Sequence, residues 1–164
     1  MKTIITTALA LFLTISLTTL AIKSINLDQK CTGYLKRAAD ANTVETAKEE
    51  LQKAIDYLEE NSITSGYTSI IYKTPDEDIA FWHNNLKSSY EELSKVTDST
   101  SALERTNLLM KLRETLLDNG SEGDNLTIPS GLVKYPNNLK WMFINLGNLL
   151  IVLVGGGYIF MKID

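Results

Sequence analysis

The sequence predicts an all-α protein: a small antiparallel bundle of about four helices, flanked by an N-terminal and a C-terminal transmembrane helix. Three observations predict it. Two long runs without charge lie near the ends of the 164-residue chain. The segment between them repeats apolar residues at three- and four-residue steps, and helix-capping motifs interrupt that segment.

These patterns divide the chain into four parts. Residues 1–23 form a transmembrane anchor or a signal peptide, and residues 24–118 form the helical bundle. Residues 119–138 are a linker rich in Gly, Ser, Asn and Pro, with room for a short β-hairpin, and residues 139–162 form the second transmembrane helix.

The composition excludes several classes of protein. With 16 Lys+Arg against 20 Asp+Glu, the chain has a formal net charge of −4, whereas a general nucleic-acid binder needs a basic surface. One Cys and one His cannot supply the ligands of a structural zinc site. We therefore predict no nucleic-acid partner, no metal and no cofactor.

The first uncharged run covers residues 4–22, between Lys2 and Lys23. At 1.5 Å per residue, this length spans a hydrocarbon core about 30 Å thick. A secretory signal peptide also combines a basic start, an apolar run and a small residue before the cleavage position, here Ala21. Both interpretations, a retained anchor and a cleaved signal, stay open.

The second uncharged run covers residues 141–161, between Lys140 and Lys162. It is also long enough to span a membrane as a helix. Trp141 and Tyr158 lie near its two ends, where amphipathic rings prefer the headgroup region. If both runs span, the termini share one side and the middle of the chain lies on the other. We expect that middle part to be extracytoplasmic, because a long connecting segment is translocated largely regardless of its charge.

Helix boundaries in the middle segment are predicted from capping motifs, in which a polar side chain satisfies the first backbone N–H groups of a helix. The charged face of the helix after the first of these motifs, which includes Glu50, is expected to be solvated. The motifs are Asn42 with Glu45, Thr74 with Pro75 and Glu77, and Ser101 with Glu104.

The linker contains a turn signal at residues 129–131, where Pro, Ser and Gly follow one another. Short β-favouring segments flank it at residues 125–128 and 132–135, so the predicted hairpin pairs these two segments.

An aromatic cluster is the first candidate site. Tyr67, Tyr72, Phe81 and Trp82 could line a ligand or partner groove between a loop and a helix, although aromatic residues at helical spacing more often belong to a core. The nearby acidic residues and His83 suggest metal or acid–base chemistry, but helix capping and the helix dipole already explain the carboxylates. We expect a structural role for them.

Cys31 is the second candidate. In an oxidising compartment it could form a disulfide with another copy or a partner, whereas on an apolar helix face a lone Cys is more often a small buried hydrophobe.

Polar and small residues inside the two uncharged runs form the third candidate, an intramembrane packing surface. Amides in hydrocarbon need partners, and small residues allow helices to approach closely. We predict contact, within one molecule or between copies, between faces that carry Thr7, Thr14 and Thr18 on the first helix and Asn145, Asn148 and Gly155 on the second.

In layout, two spans around a small outer bundle resemble the ligand-sensing half of bacterial chemoreceptors and sensor kinases. Only Lys162, Ile163 and Asp164 follow the second span, so a sensor of this layout would pass its signal to a partner. The leading hypothesis is a membrane-anchored extracytoplasmic interaction or scaffold protein without catalytic activity, which binds a protein partner or itself. The alternatives are an accessory ligand-sensing subunit and, third, a small membrane-bound enzyme, for which no catalytic motif is found.

Overall fold

A computed structural model describes residues 2–69, 72–120, 123–133 and 139–160, which are mostly helical, as predicted. A small two-stranded sheet follows the fifth helix. The helices are α1 (Lys2–Leu27), α2 (Gly33–Ala39), α3 (Val44–Glu60), α4 (Ile79–Ser94), α5 (Ala102–Leu116) and α6 (Leu139–Phe160), and the strands are β1 (Leu117–Gly120) and β2 (Gly123–Leu126).

The N-terminal helix continues without a loop into the core of the protein. A single π-helical turn, Asp28–Thr32, joins α1 to α2, and the Gly33 N–H donates to the carbonyl of Asp28. Both Leu27 and Gly33 keep right-handed helical backbone angles, so the direction of the chain is maintained through the turn. The apolar segment α1 and the packed helix α2 are therefore parts of one continuous helix.

The core is built around α3, which contacts α2, α4 and α5. Helical periodicity predicts its buried face correctly, and each large aliphatic side chain buried there contributes roughly 1.5–3 kcal/mol. The residues of α3 that are buried on this face are Val44, Ala47, Leu51, Ala54, Ile55 and Leu58.

Glu50 is buried in α3, which corrects the expectation that it belongs to a solvated face. Its side chain is only 3% exposed, and one carboxylate oxygen lies 3.0 Å from Arg37 Nη2 and 3.0 Å from Lys53 Nζ. Because α2 packs across this part of α3, the carboxylate is covered, and the two cations offset the cost of its burial.

Two of the predicted helix starts shift. Thr43, one residue after the predicted Asn42, caps α3 by accepting from the Thr46 N–H. Pro75–Glu77 forms a 3₁₀ turn, and α4 begins only at Ile79. The reason is a backbone bridge between Tyr67 and Asp78, which holds Asp78 extended.

The third capping motif is confirmed. Ser101 caps α5, and its hydroxyl accepts a hydrogen bond from the Glu104 N–H at 3.2 Å.

The hairpin lies earlier in the chain than the predicted one. Leu126 of β2 pairs with Leu117 of β1 in an antiparallel register. The predicted strand at residues 125–128 therefore pairs with the segment before it in the chain, and not with the segment after the turn at residues 129–131. The Thr127 N–H extends this pairing by donating to the carbonyl of Leu116. Residues 134 and 135, which belong to the predicted second strand, lie outside the described residues.

One helix among the described residues, Ala10–Ala39, is long and apolar enough to cross a membrane, and it lies near the N-terminus. A signal sequence would pass the same test of length and composition. In α6, the apolar stretch found by the same test is shorter, Leu146–Gly155.

Replacing Gly33 by Ala is expected to destabilise the π-helical turn. A Cβ at this position would lie 2.9 Å from the backbone oxygen of Asp28, so the turn must shift. Overpacking of this kind costs roughly 1–3 kcal/mol, of which the higher helix propensity of Ala recovers about 1 kcal/mol.

Thermal unfolding of the full chain in detergent micelles, followed by circular dichroism, measures this effect as a fall in Tm. The matched control is Gly147→Ala, since a Cβ at that position meets no described atom within 4 Å. Equal Tm values for Gly33→Ala and the unaltered chain would contradict the account of the turn.

Candidate functional site

A groove of about 470 Å³ lies between the start of α4, the end of α5 and the segment that follows β2. Its floor is largely apolar, and its rim contains the carboxylates of Asp76, Asp78 and Asp118. The apolar residues that line it are Phe81, Trp82, Leu86, Leu126, Ile128 and Pro129. A cavity of this volume lies within the range of sites that bind small molecules or single side chains of a partner.

Trp82 fixes one wall of the groove. Its indole Nε1 donates a hydrogen bond of 2.9 Å to the carbonyl oxygen of Thr127, and its ring is buried. The same Thr127 uses its N–H to bond Leu116. Both backbone groups of Thr127 are therefore occupied, and the segment after β2 is tied to α4 and to α5.

Trp82 is buried, whereas Phe81, its neighbour in α4, is exposed to solvent. Its side chain is 64% exposed, although it lines the groove. An exposed phenyl ring beside a fixed apolar wall gives this groove a surface that a ligand could cover.

The groove is negatively charged. No Lys or Arg is among the described residues that line it. Asp78 uses its carboxylate to cap α4, accepting from the N–H groups of Ala80 at 2.9 Å and Phe81 at 3.2 Å. The carboxylates of Asp76 and Asp118 belong to exposed residues.

The structure brings together half of the predicted aromatic cluster. Phe81 and Trp82 line the groove, whereas Tyr67 and Tyr72 do not. The ring of Tyr67 lies under the ammonium of Lys73, 5.4 Å from it, and Tyr72 is 78% exposed.

The other wall of the groove is formed by residues that sequence reasoning missed. It comes from Thr115, Asp118 and residues 125–130, more than 30 positions after Phe81. Such a contact leaves no periodic signal. The one available clue was the apolar Ile128 directly before Pro129, in a segment that was otherwise interpreted as a linker.

Of the described residues on the predicted intramembrane surface, Asn148 forms a hydrogen bond between the two helices. Asn148 of α6 is only 8% exposed, and its Nδ2 donates a hydrogen bond of 2.6 Å to Ser16 Oγ of α1. Its Oδ1 is buried and has no hydrogen-bond partner among the described residues.

The other members of that surface are placed differently. Thr14 and Thr18 donate their hydroxyls to carbonyls four residues earlier in α1, and Thr7 is exposed. The side chain of Asn145 lies outside the described part of the structure. A Cβ built on Gly155 would meet no described atom within 4 Å.

Cys31 lies fully buried in the core, nine residues beyond the first uncharged run. Burial raises the pKa of its thiol to about 12. Since the thiolate is the nucleophile in disulfide exchange, a disulfide between copies would require the core to open.

His83 is also buried, and its Nε2 lies 3.7 Å from a carboxylate oxygen of Glu59. Burial lowers the pKa of the imidazole, while the charge of Glu59 opposes that change. In the described residues, no group of three or more His, Cys, Asp or Glu side chains is arranged to hold a metal ion.

Comparison of the chain with protein-family models, with curated proteins and with solved structures found no match. The function is therefore inferred from the groove, the helix contact and the charge of the chain.

Cys31 is expected to be unreactive in the folded protein. At pH 8 only about one thiol in ten thousand is ionised if the pKa is about 12, and the thiol is also covered. A chromogenic disulfide reagent should therefore react slowly with the native chain in micelles and fully after denaturation.

The matched control is Ser88→Cys in a Cys31→Ala background, because residue 88 lies on the exposed face of α4. This variant should react completely without denaturant. Fast, stoichiometric reaction of native Cys31, or a Cys31-linked dimer on a non-reducing gel of the native protein, would contradict its burial.

Proposed function

We propose that this protein is a membrane-anchored, extracytoplasmic interaction protein without catalytic activity. Two transmembrane helices, α1 and α6, would hold a small antiparallel bundle formed by α2 to α5. The observation that carries the proposal is the hydrogen bond between Ser16 and Asn148, because it sets the register of the two helices.

Two spans joined by an outer domain cross the bilayer in opposite directions. The register set by Ser16 and Asn148 can therefore be checked by asking whether the lysines at the ends of the two uncharged runs lie at matching levels. Ser16 lies 14 residues from the lysine before the first run and 7 from the lysine after it. Asn148 lies 14 residues from the lysine after the second run and 8 from the lysine before it.

At 1.5 Å per residue along a helix, Lys2 would lie about 21 Å from Ser16 on one side and Lys23 about 11 Å from it on the other, and Lys140 would lie about 12 Å from Asn148. Lys2 and Lys23 would then lie about 32 Å apart, close to the thickness of a hydrocarbon core, and Lys140 would lie at about the level of Lys23. The hydropathy of the two runs does not require their ends to lie at the same level, because the register of the two helices comes from the hydrogen bond between Ser16 and Asn148.

The surfaces of the two helices also support membrane insertion. Their polar contact is between the helices, while their large apolar side chains point outward. Soluble monomers rarely expose such contiguous apolar surface, and hydrocarbon is the solvent in which it is stable. The exposed apolar side chains include Leu11, Ile15 and Leu17 on α1 and Leu149, Leu153 and Val154 on α6.

The same contact favours a retained anchor over a cleaved signal peptide. Cleavage after Ala21 would remove Ser16 and leave the amide of Asn148 without that partner in hydrocarbon, where an unsatisfied polar group is costly. A retained α1 gives the Nδ2 of Asn148 a hydrogen-bond partner.

Partner binding by the outer domain is supported by the groove, which presents an exposed phenyl ring and carboxylates on a fixed wall. A second candidate function, an accessory ligand-sensing subunit, is favoured by the volume of the groove, about 470 Å³, which is within the range of small-molecule sites. In that case the continuous helix from α1 to α2 would connect the membrane with the core.

A cysteine pair tests the proposed arrangement of the two helices. In a Cys31→Ala background, Ser16→Cys with Asn148→Cys should form an intramolecular disulfide when membranes are treated with a mild oxidant, because the hydrogen bond of 2.6 Å between Ser16 Oγ and Asn148 Nδ2 shows that the two side chains face each other. Linked peptides are identified by mass spectrometry after digestion.

The matched control pair is Leu17→Cys with Leu149→Cys, one residue further along each helix, where both side chains are exposed. This pair should give little intramolecular product. Absence of the first disulfide in a variant that remains in the carbonate-washed membrane pellet, or equal yields from both pairs, would overturn the proposed helix pairing.

A further inference from the structure

We propose that the groove beside α4 binds an extended peptide segment of a partner protein, with the ammonium or guanidinium group of a Lys or Arg between Asp76, Asp118 and Phe81. This inference rests on the proposed function, since it names the kind of partner that the outer domain would bind.

Charge complementarity is the first argument. Asp78 already neutralises the positive end of α4 by accepting two N–H groups, so the charge that is left for a ligand is that of Asp76 and Asp118. No cation lies among the described lining residues. Charged ligands of the opposite sign are attracted to such a cleft, and the attraction weakens with salt.

The exposed ring of Phe81 is the second argument. A cation over an aromatic face within about 6 Å of its centroid gains roughly 0.5–1 kcal/mol at an exposed site. Elsewhere in the described residues, lysine ammonium groups cover the rings of Tyr34, Tyr67 and Tyr90. None of these contacts between described residues involves the exposed ring of Phe81, so a basic side chain from a partner would form the same interaction there.

The shape of the groove favours a peptide over a small free cation. Its rim residues Asp76, Asp118 and Phe81 are all exposed, so a small cation bound there would stay largely hydrated. Beyond the rim, Leu126, Ile128 and Pro129 provide an apolar floor, along which the residues that flank a Lys or Arg could pack.

The wall of the groove is already ordered. Thr127 is fixed by its hydrogen bonds to Leu116 and Trp82, of 2.8 and 2.9 Å. A preformed wall lowers the entropy lost on binding, which suits recognition of a short segment.

A displayed library of random short peptides, selected on the full-length protein in neutral micelles at low salt, tests the inference. Binders should be enriched in Arg or Lys beside an apolar residue. The strongest binder is then synthesised with citrulline in place of arginine, or with norleucine in place of lysine. Each replacement keeps much of the bulk of the side chain but removes its charge, so the affinity should fall about tenfold or more.

The variant for this test is Asp76→Asn with Asp118→Asn, which should also weaken the peptide about tenfold. Phe81→Leu keeps an apolar side chain without an aromatic face. It should weaken peptide binding by a factor of about two to five, which corresponds to a loss of about 0.5–1 kcal/mol. The matched control is Asp98→Asn with Glu60→Gln, which removes the same charge at exposed residues outside the groove and should leave the affinity unchanged.

Three results would overturn the inference: no enrichment of basic residues, equal loss in the groove and control variants, or binding of free argininamide as tight as that of the peptide, which would indicate a small-cation site. The cross-link between residues 16 and 148 is scored separately. Loss of peptide binding with that cross-link intact would therefore overturn the docking site alone, and leave the membrane arrangement standing.

Discussion

The continuity of the first helix is the constraint on which the rest of the structure depends. Because the chain passes from α1 into α2 through a π-helical turn and not through a loop, the apolar N-terminal segment and the core are mechanically connected. Leu27 and Cys31, four residues apart, are both buried in the core across this turn. A glycine at position 33 permits the close approach to the carbonyl of Asp28, so the geometry of the connection is specified by one small residue.

The polar groups inside the two apolar helices give the arrangement its register. In hydrocarbon the hydrophobic effect does not distinguish one helix face from another, so side-chain hydrogen bonds and close packing decide which faces meet. The amide of Asn148 meets the hydroxyl of Ser16, whereas Thr14 and Thr18 satisfy their hydroxyls on their own helix. Serine and threonine in α1 therefore have different roles despite their similar chemistry.

Local patterns predicted much of this fold. The buried face of α3 follows from helical periodicity. The cap at Ser101 follows from the need of the first backbone N–H groups of α5 for a hydrogen-bond acceptor within one turn. Both depend only on residues that are close together in the sequence. The burial of Glu50 and the delayed start of α4 were missed because each depends on a contact with another element, namely Arg37 of α2 and Tyr67 of the preceding loop. Only half of the predicted aromatic cluster lines the groove, for the same reason. Adjacent aromatic residues can be recognised in a sequence, but the wall supplied by Thr115, Asp118 and residues 125–130 cannot.

We propose that the helical domain is extracytoplasmic and is held there by an N-terminal membrane anchor. The most direct measurement is labelling of intact cells with a membrane-impermeant maleimide, using Ser88→Cys in a Cys31→Ala background, because residue 88 is exposed on α4. If the domain is extracytoplasmic, intact cells should be labelled to the same extent as cells whose membrane has been permeabilised. Labelling that appears only after permeabilisation would place the domain on the cytoplasmic side and contradict the account.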